Sequence, residues 1–487
     1  FNLVTDAKDG TALEVVHDLA EFEFHLNRLR KLSMAPDLNS VTLFLVSKPA
    51  GKTLLTLVNN CVGFTQKGLR GDYIVAGFDR PPSPANRAKA AYQKRHSKND
   101  TLRHEYVHFL LRNSLEYGGG LPLWLEEGLA EYWSTLIVRK NQVNYGYLNQ
   151  EHLVFLPKNR TVPVERILNT HTVPQSLRQG QYLYGYSTLL THYLMTQDSI
   201  RQSLPAFALA IRTGTSLEES FTQWTKLDYK TLKSRLRRHR RHHYKRHLTA
   251  EKGLFYKPAP QIKPLEKEAL ALRFADLLSY FPEAHPLPFL AIAREAINHL
   301  GASTILIDWM IKHKDFDTAQ EVLSELKKDH ELTPQWLSAQ SSLYLAIARH
   351  LSKDQGDQKH RLQSKALHLI QQALKIDASY LPAHFARGIY YTDSGSQVDI
   401  DQGIRSWQLV DTALRYSTSK YAQALLYLSR DIPDYEKAKI LLQTVINTER
   451  TQRHTQSSLI ILDRIKPHLA QVYSNKPNSN KGSKNKI

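Results

Sequence analysis

The chain has 487 residues and a formal net charge of +19, from 65 Lys and Arg against 46 Asp and Glu. A hydrophobic share of 41% supports packed cores, and the length suggests two or three domains. A single cysteine, Cys61, excludes intrachain disulfides and cysteine-rich zinc sites, and no apolar run reaches membrane-spanning length.

The chain starts at Phe1 rather than Met, so the N-terminus is expected to be processed or trimmed, with an extracytoplasmic location, periplasmic or secreted. The first five residues read as a short strand. From residue 12 to 32 apolar residues recur at helical spacing, among them Leu13, Val16, Leu19, Phe22 and Leu26. Residues 41–46 and 73–78 read as strands, being rich in β-branched and aromatic side chains. Residues 1–95 are therefore expected to form a mixed α/β unit. Pro81-Pro82-Ser83-Pro84 and the basic stretch up to Lys98 read as a linker or surface loop.

His104-Glu105-Tyr106-Val107-His108 follows. Ser97, Asn99 and Asp100 offer N-cap side chains just upstream, and Leu102, Tyr106, Phe109 and Leu110 recur at helical spacing. On a helix, residues four apart share a face, so both imidazoles can reach one metal ion, with Glu105 beside them. The plainer reading is a pair of core histidines bonded to backbone carbonyls.

After Gly118-Gly119-Gly120 comes a second helical pattern opened by Pro122, within which Glu127 and Glu131 share a face. A catalytic zinc site takes three protein ligands and leaves a position open, and His104, His108 and Glu127 make such a set. Glu131 suits a carboxylate that orients a histidine ring. Glu126 reads as a solvated residue, whereas small and apolar neighbours surround Glu127 and Glu131.

An H-E-x-x-H, eighteen residues and then Glu, in Trp124-Leu125-Glu126-Glu127-Gly128-Leu129-Ala130-Glu131-Tyr132, resembles the gluzincin metallopeptidases, most of all the bacterial peptidase MA-like group. That resemblance implies His104, His108 and Glu127 as ligands of one zinc ion, Glu105 as general base and Glu131 behind a ligand. It also implies a sheet edge beside the metal, expected between residues 63 and 78, where an extended peptide pairs by strand addition. Glu126 departs from the Asn of the related aminopeptidases. No G-A-M-E-N-like segment is present, which puts capture of a free peptide N-terminus in doubt.

Gln181-Tyr182-Leu183-Tyr184-Gly185-Tyr186-Ser187 opens a helical stretch running to Leu194 and resembles the Y-x-x-S segment of the same group, with Tyr184 and Ser187 in the matching places. A tyrosine hydroxyl can stabilise a developing oxyanion. Tyr184 is assigned that role, although Tyr182 and Tyr186 lie beside it and aromatic packing explains any of the three equally well. Residues 217–238 read as a closing helix pair of a helical catalytic subdomain spanning 96–250.

Between Lys230 and His247 lie nine Lys or Arg and no acidic residue. A solvated helix end at a domain junction is favoured there over a nucleic-acid or anionic surface. The histidines at 239, 242, 243 and 247 lack a carboxylate partner.

From 251 to 473 the pattern is helical with irregular repeats, clearest at residues 316–323, 366–388 and 434–442. These resemble tetratricopeptide repeats, which implies a surface for a protein partner; a plain helical bundle is the alternative. Residues 474–487 are polar and basic and are expected to be disordered. The expected fold is thus α+β followed by an all-α repeat domain. The expected function is a zinc metallopeptidase, an endopeptidase or an aminopeptidase-like enzyme, acting on a peptide or protein substrate. The alternative is a non-catalytic peptide-binding scaffold.

Overall fold

A computed structural model describes residues 1–5, 9–30, 41–46, 63–77, 100–118, 120–148, 152–153, 156, 164–171, 176–242, 247–255, 257–260, 263, 265–281, 286–296, 299–394, 400–415, 417–449 and 454–474. The loop expected at 81–98, Cys61 and all but the first residue of the tail expected at 474–487 lie outside the described residues. The described residues are mostly helical, with two small sheets among them.

The first sheet has four strands: β1 (Asn2–Thr5), β2 (Val41–Val46), β3 (Gly63–Lys67) and β4 (Asp72–Gly77). Their order is β1-β2-β4-β3. The first three in that order run parallel, while β3 pairs antiparallel with β4, Thr65 standing opposite Ile74. Among the described residues, β3 is therefore an edge strand, in the interval expected for one.

Side chains alternate across a strand, and both faces are used. Leu43, Leu45, Ile74 and Ala76 point to a core shared with α1 (Asp9–Arg30) and α2 (Asp100–Asn113). Phe44, Tyr73 and Val75 point the other way, onto Leu277 and Leu278 of α10 (Lys267–Ser279). Phe44 stacks on Phe274 with ring centroids 4.7 Å apart. A sheet apolar on both faces must be covered on both, and α10 supplies the second cover.

After α2 the chain turns through Gly118, whose φ of +51° suits a residue without Cβ. It then enters α3 (Leu123–Ser134). A three-stranded sheet follows, within the stretch that the sequence suggested to be mostly helical: β5 (Ile137–Val138), β6 (Gln142–Tyr145) and, much later, β7 (Leu248–Glu251). Two- to four-residue strands carry too little periodicity to register against a helical background. Between β6 and β7 run α4 (Val164–Leu168), α5 (Leu177–Met195), α6 (Asp198–Gln202), α7 (Leu204–Arg212), α8 (Leu217–Thr225) and α9 (Tyr229–His242). The last two are the expected closing pair.

α5 packs directly on α3, and Gly128 makes that possible. A Cβ there would collide with Thr191 and lie 2.7 Å from the Ser187 carbonyl.

The second half of the chain is a helical array. It runs through α10, α11 (Leu287–Ala296), α12 (His299–Lys312), α13 (Phe316–His330), α14 (Pro334–His350), α15 (Gly356–Ile376), α16 (Leu381–Ser394), α17 (Ile400–Leu414), α18 (Ser417–Leu428), α19 (Tyr435–Thr448) and α20 (Thr455–Ser474). Each helix packs on the next. The sequence motifs at 316, 366–388 and 434 fall in α13, α15–α16 and α19. Small residues at contacts, such as Ala319, Ala366, Ala373, Ala386 and Ala438, are fully or almost fully buried and allow close helix approach.

Candidate metal centre

α2 and α3 bring the three expected ligands together. His104 and His108 lie one turn apart on α2, and Glu127 reaches them from α3. Their Nε2 atoms are 3.1 Å apart, and Glu127 Oε2 is 3.4 Å from that of His104 and 3.3 Å from that of His108. Bonds of about 2.0–2.1 Å to a tetrahedral ion require ligand atoms roughly 3.3 Å apart, so this triangle has the size such an ion needs. Among the described residues, His104, His108 and Glu127 are the one group of three or more His, Cys, Asp or Glu able to hold a metal ion.

The outer face of each imidazole is also engaged. His108 Nδ1 lies 2.8 Å from Glu126 Oε1, and Arg112 Nε donates to the same oxygen at 2.8 Å. His104 Nδ1 makes an ionic contact with Glu131 Oε1 at 3.1 Å, and that oxygen also lies 3.0 Å from His152 Nε2. Neither ring therefore rests on a backbone carbonyl. With its Nδ1 proton turned toward a carboxylate, a neutral ring leaves its Nε2 lone pair facing inward. Two such lone pairs and an oxygen of Glu127 then converge, which is stable only with a cation or protons between them.

The electrostatics agree. Burial alone would lower the His104 pKa, but the Glu127 and Glu131 carboxylates outweigh it and hold the ring well above the usual histidine value. His108 is raised as well, burial again being outweighed by Glu127 and Glu126. Burial would raise the carboxyl of Glu127, yet His108 and His104 hold it well below its usual range. The cluster is built to hold positive charge.

Glu105, buried on α2, is held by Thr65 of β3, whose hydroxyl donates to Glu105 Oε2 at 3.0 Å and lies 2.9 Å from the Glu105 carbonyl. A Cβ at Gly63 would come within 3.0 Å of Glu105 Cγ, so the edge strand passes close over this side chain. Tyr184, on α5, is half-buried and stacks on His152 with centroids 6.0 Å apart. Of the other two tyrosines, Tyr186 is buried in the core and Tyr182 packs at its margin.

Four participants escaped the sequence. Glu126 is only 2% exposed, not solvated, because His108 and Arg112 both engage it. Arg112, four residues beyond His108, carried the signal that could have found this: it offers a buried carboxylate a cation one helical turn further on. His152 and Thr65 come from segments with no motif, and only the fold brings them in. By contrast His239, from the basic stripe, is buried against His192 of α5, with its Nε2 2.7 Å from His192 Nδ1, well apart from the cluster in sequence and partners.

No family model matches the chain, and no curated protein matches it. Among solved structures a thermophilic TPR protein of Thermus thermophilus is similar, with 18% identity and a TM-score of 0.32, spanning 40% of this chain and 97% of that one.

Proposed function

We propose that the chain is a zinc-dependent metallopeptidase of the gluzincin kind, with His104, His108 and Glu127 as zinc ligands and Glu105 as general base. The observation that carries this reading is the ligand triangle with edges of 3.1, 3.3 and 3.4 Å, backed on both histidines by carboxylates. Zinc held there would bring the pKa of water toward neutrality and polarise a carbonyl.

The chain's own groups do the rest. Glu105 takes a proton from the attacking water as its oxygen bonds to the scissile carbonyl carbon. The same carboxyl passes that proton to the amine as the C–N bond breaks. Thr65 holds Glu105 Oε2 and so fixes where the carboxylate points. Glu126 and Glu131 hold the two rings in the tautomer that turns Nε2 inward. The edge strand β3 offers backbone groups to which an extended peptide can add as a fifth strand, giving main-chain affinity with modest side-chain selectivity. Tyr184 is assigned as donor to the oxyanion. Tyr184→Phe is expected to lower kcat by about 10²–10³ with little change in KM.

A second reading, a peptide-binding scaffold without turnover, is favoured by the helical array, which fills the second half of the chain and contributes nothing to the metal triangle. In either reading the array is a surface for a protein partner. Peptide-library cleavage by wild type and Glu105→Gln separates the two. The metallopeptidase should hold about one zinc per chain, and the variant should keep that zinc and lose hydrolysis. Equal cleavage by both proteins sinks the role of Glu105. Zinc occupancy below about one-tenth after zinc-replete purification leaves only the scaffold.

A further inference from the structure

The turn that joins β3 to β4 is seated in the helical array. Lys67, the last residue of β3, donates from Nζ to the carbonyl of Ala413 in α17, at 3.1 Å. Leu69 packs against the apolar cluster built by α14 to α20. Arg70 reaches Asp276 of α10, Nη1 to Oδ1 at 3.1 Å, and its other terminal nitrogen pairs with Asp308 of α12. A side chain at Gly68 would run into the ring of Tyr280. One turn is thus held by residues spread from 276 to 413.

Asp276 is 3% exposed, and its second oxygen accepts from the Tyr73 hydroxyl of β4 at 2.5 Å. The carboxylate that receives Arg70 is therefore itself tied to the strand next to β3. On the other side Thr65, the middle residue of β3, bonds to Glu105 on α2, and Arg112 donates to the Thr65 carbonyl at 3.3 Å. The outer strand of the sheet is fixed at its centre by the helix that carries the cluster, and at its end by the array. An edge strand with free ends frays, and its backbone groups lose the alignment that strand addition needs.

We propose that the helical array serves the reaction as a clamp on the edge strand, with Arg70 as a positioning residue that keeps β3 in register for an incoming peptide. This rests on the metallopeptidase reading above. A bridge that merely joined two parts of the chain would change overall stability; a clamp changes the edge strand and the binding of substrate.

The test uses the full chain and two variants, Arg70→Ala and Asp308→Ala. The second alters only a partly exposed residue of the array and keeps the experiment decisive should the first fail to fold. Three readouts are taken: amide exchange over residues 63–67, bound zinc, and the kinetics of an extended peptide drawn from library cleavage. Exchange over 63–67 should quicken about tenfold, and KM should rise about tenfold with kcat within about twofold. Zinc should stay at the wild-type level, and Arg70→Lys should recover part of the loss. Unchanged exchange over 63–67 in both variants overturns the clamp; so does quickened exchange with an unchanged KM. Should wild type hold zinc and cleave no peptide, the metallopeptidase reading itself has failed, and the exchange measurement still decides whether the array holds β3.

Discussion

Residues 63–134 and the helical array bury polar groups of different kinds. The first region buries Lys67, Arg103, Glu105, Glu126, Glu127 and Glu131 together with His108. Among the described residues of the array, the buried polar groups are mostly neutral, such as Ser338, Gln340, Ser341, Gln363, Ser406 and Gln423. Its two buried carboxylates have specific work. Asp276 meets Arg70 and Tyr73 of the first sheet, and Glu449 accepts from the His454 amide and the Thr455 hydroxyl at the start of α20. An unpaired buried charge costs several kcal/mol, and even a paired one is often no better than an apolar substitute. Packing therefore accounts for most of the array, with buried charge confined to these two positions among its described residues. It does not account for a region that concentrates several, and the cation and the reaction proposed above would give those charges a role.

This contrast is open to attack by mutation. The largest expected effect is that of Glu126→Ala, which leaves Arg112 without its carboxylate and His108 without its orienting partner. Stability should fall by about 3–5 kcal/mol in urea unfolding, and zinc affinity by about 10–100-fold in chelator competition. Ser341→Ala in the array removes only a hydroxyl that donates to the Ser338 carbonyl of its own helix at 2.8 Å, and should cost about 1 kcal/mol or less. Equal losses for the two would abolish the distinction between the regions. Next comes Gly128→Ala. The added methyl group meets Thr191 and the Ser187 carbonyl between α3 and α5, and about 1–3 kcal/mol should be lost, read as a lower Tm.

How much of this was legible in the sequence follows from the range of each interaction. His104, Glu105 and His108 are set by spacing within one helix, and Glu127 by a second helix joined to it through a short turn, so local pattern was enough to nominate them. Strands β1, β2 and β4 declared themselves through β-branched and aromatic runs. The array showed in the small residues of α13, α15 and α19. Glu126 was misread because a carboxylate looks solvated until Arg112 and His108 are seen to share it. Thr65, His152 and Arg70 act across 40, 21 and more than 200 residues of sequence. No periodicity encodes such contacts. The cover that α10 gives to Phe44 and Tyr73 was hidden for the same reason: continuous apolar strands announce two buried faces but not what buries them.

Two smaller predictions sharpen the comparison. Burial, only partly offset by Asp72, pushes the Lys67 ammonium down to about 8. The unfolded chain keeps that proton up to about pH 10.4. Between these values the unfolded state binds more protons than the folded one, so stability gained from this group rises with pH. Below about pH 8 both states are protonated and the burial penalty is felt in full. The Tm of wild type relative to Lys67→Met should be flat from about pH 6 to 7.5 and should climb toward pH 10. A difference that stays flat over that interval would mean that Lys67 keeps its charge in its buried position.

The smallest effect has the opposite sign and belongs to the array. Gly356 opens α15 with φ −52° and ψ −44°, ordinary helical values, and a Cβ there meets nothing within 4 Å. Nothing in the folded state resists a side chain, while the unfolded chain loses backbone freedom when glycine is replaced. Gly356→Ala should therefore stabilise the protein by about 0.4–1 kcal/mol. The same substitution at Gly128 destabilises because there the folded state resists. Calorimetry on the pair compares two glycines that differ only in whether a neighbouring helix occupies the space a methyl group needs. A loss of stability at Gly356 would show that the start of α15 is packed as tightly as the contact between α3 and α5.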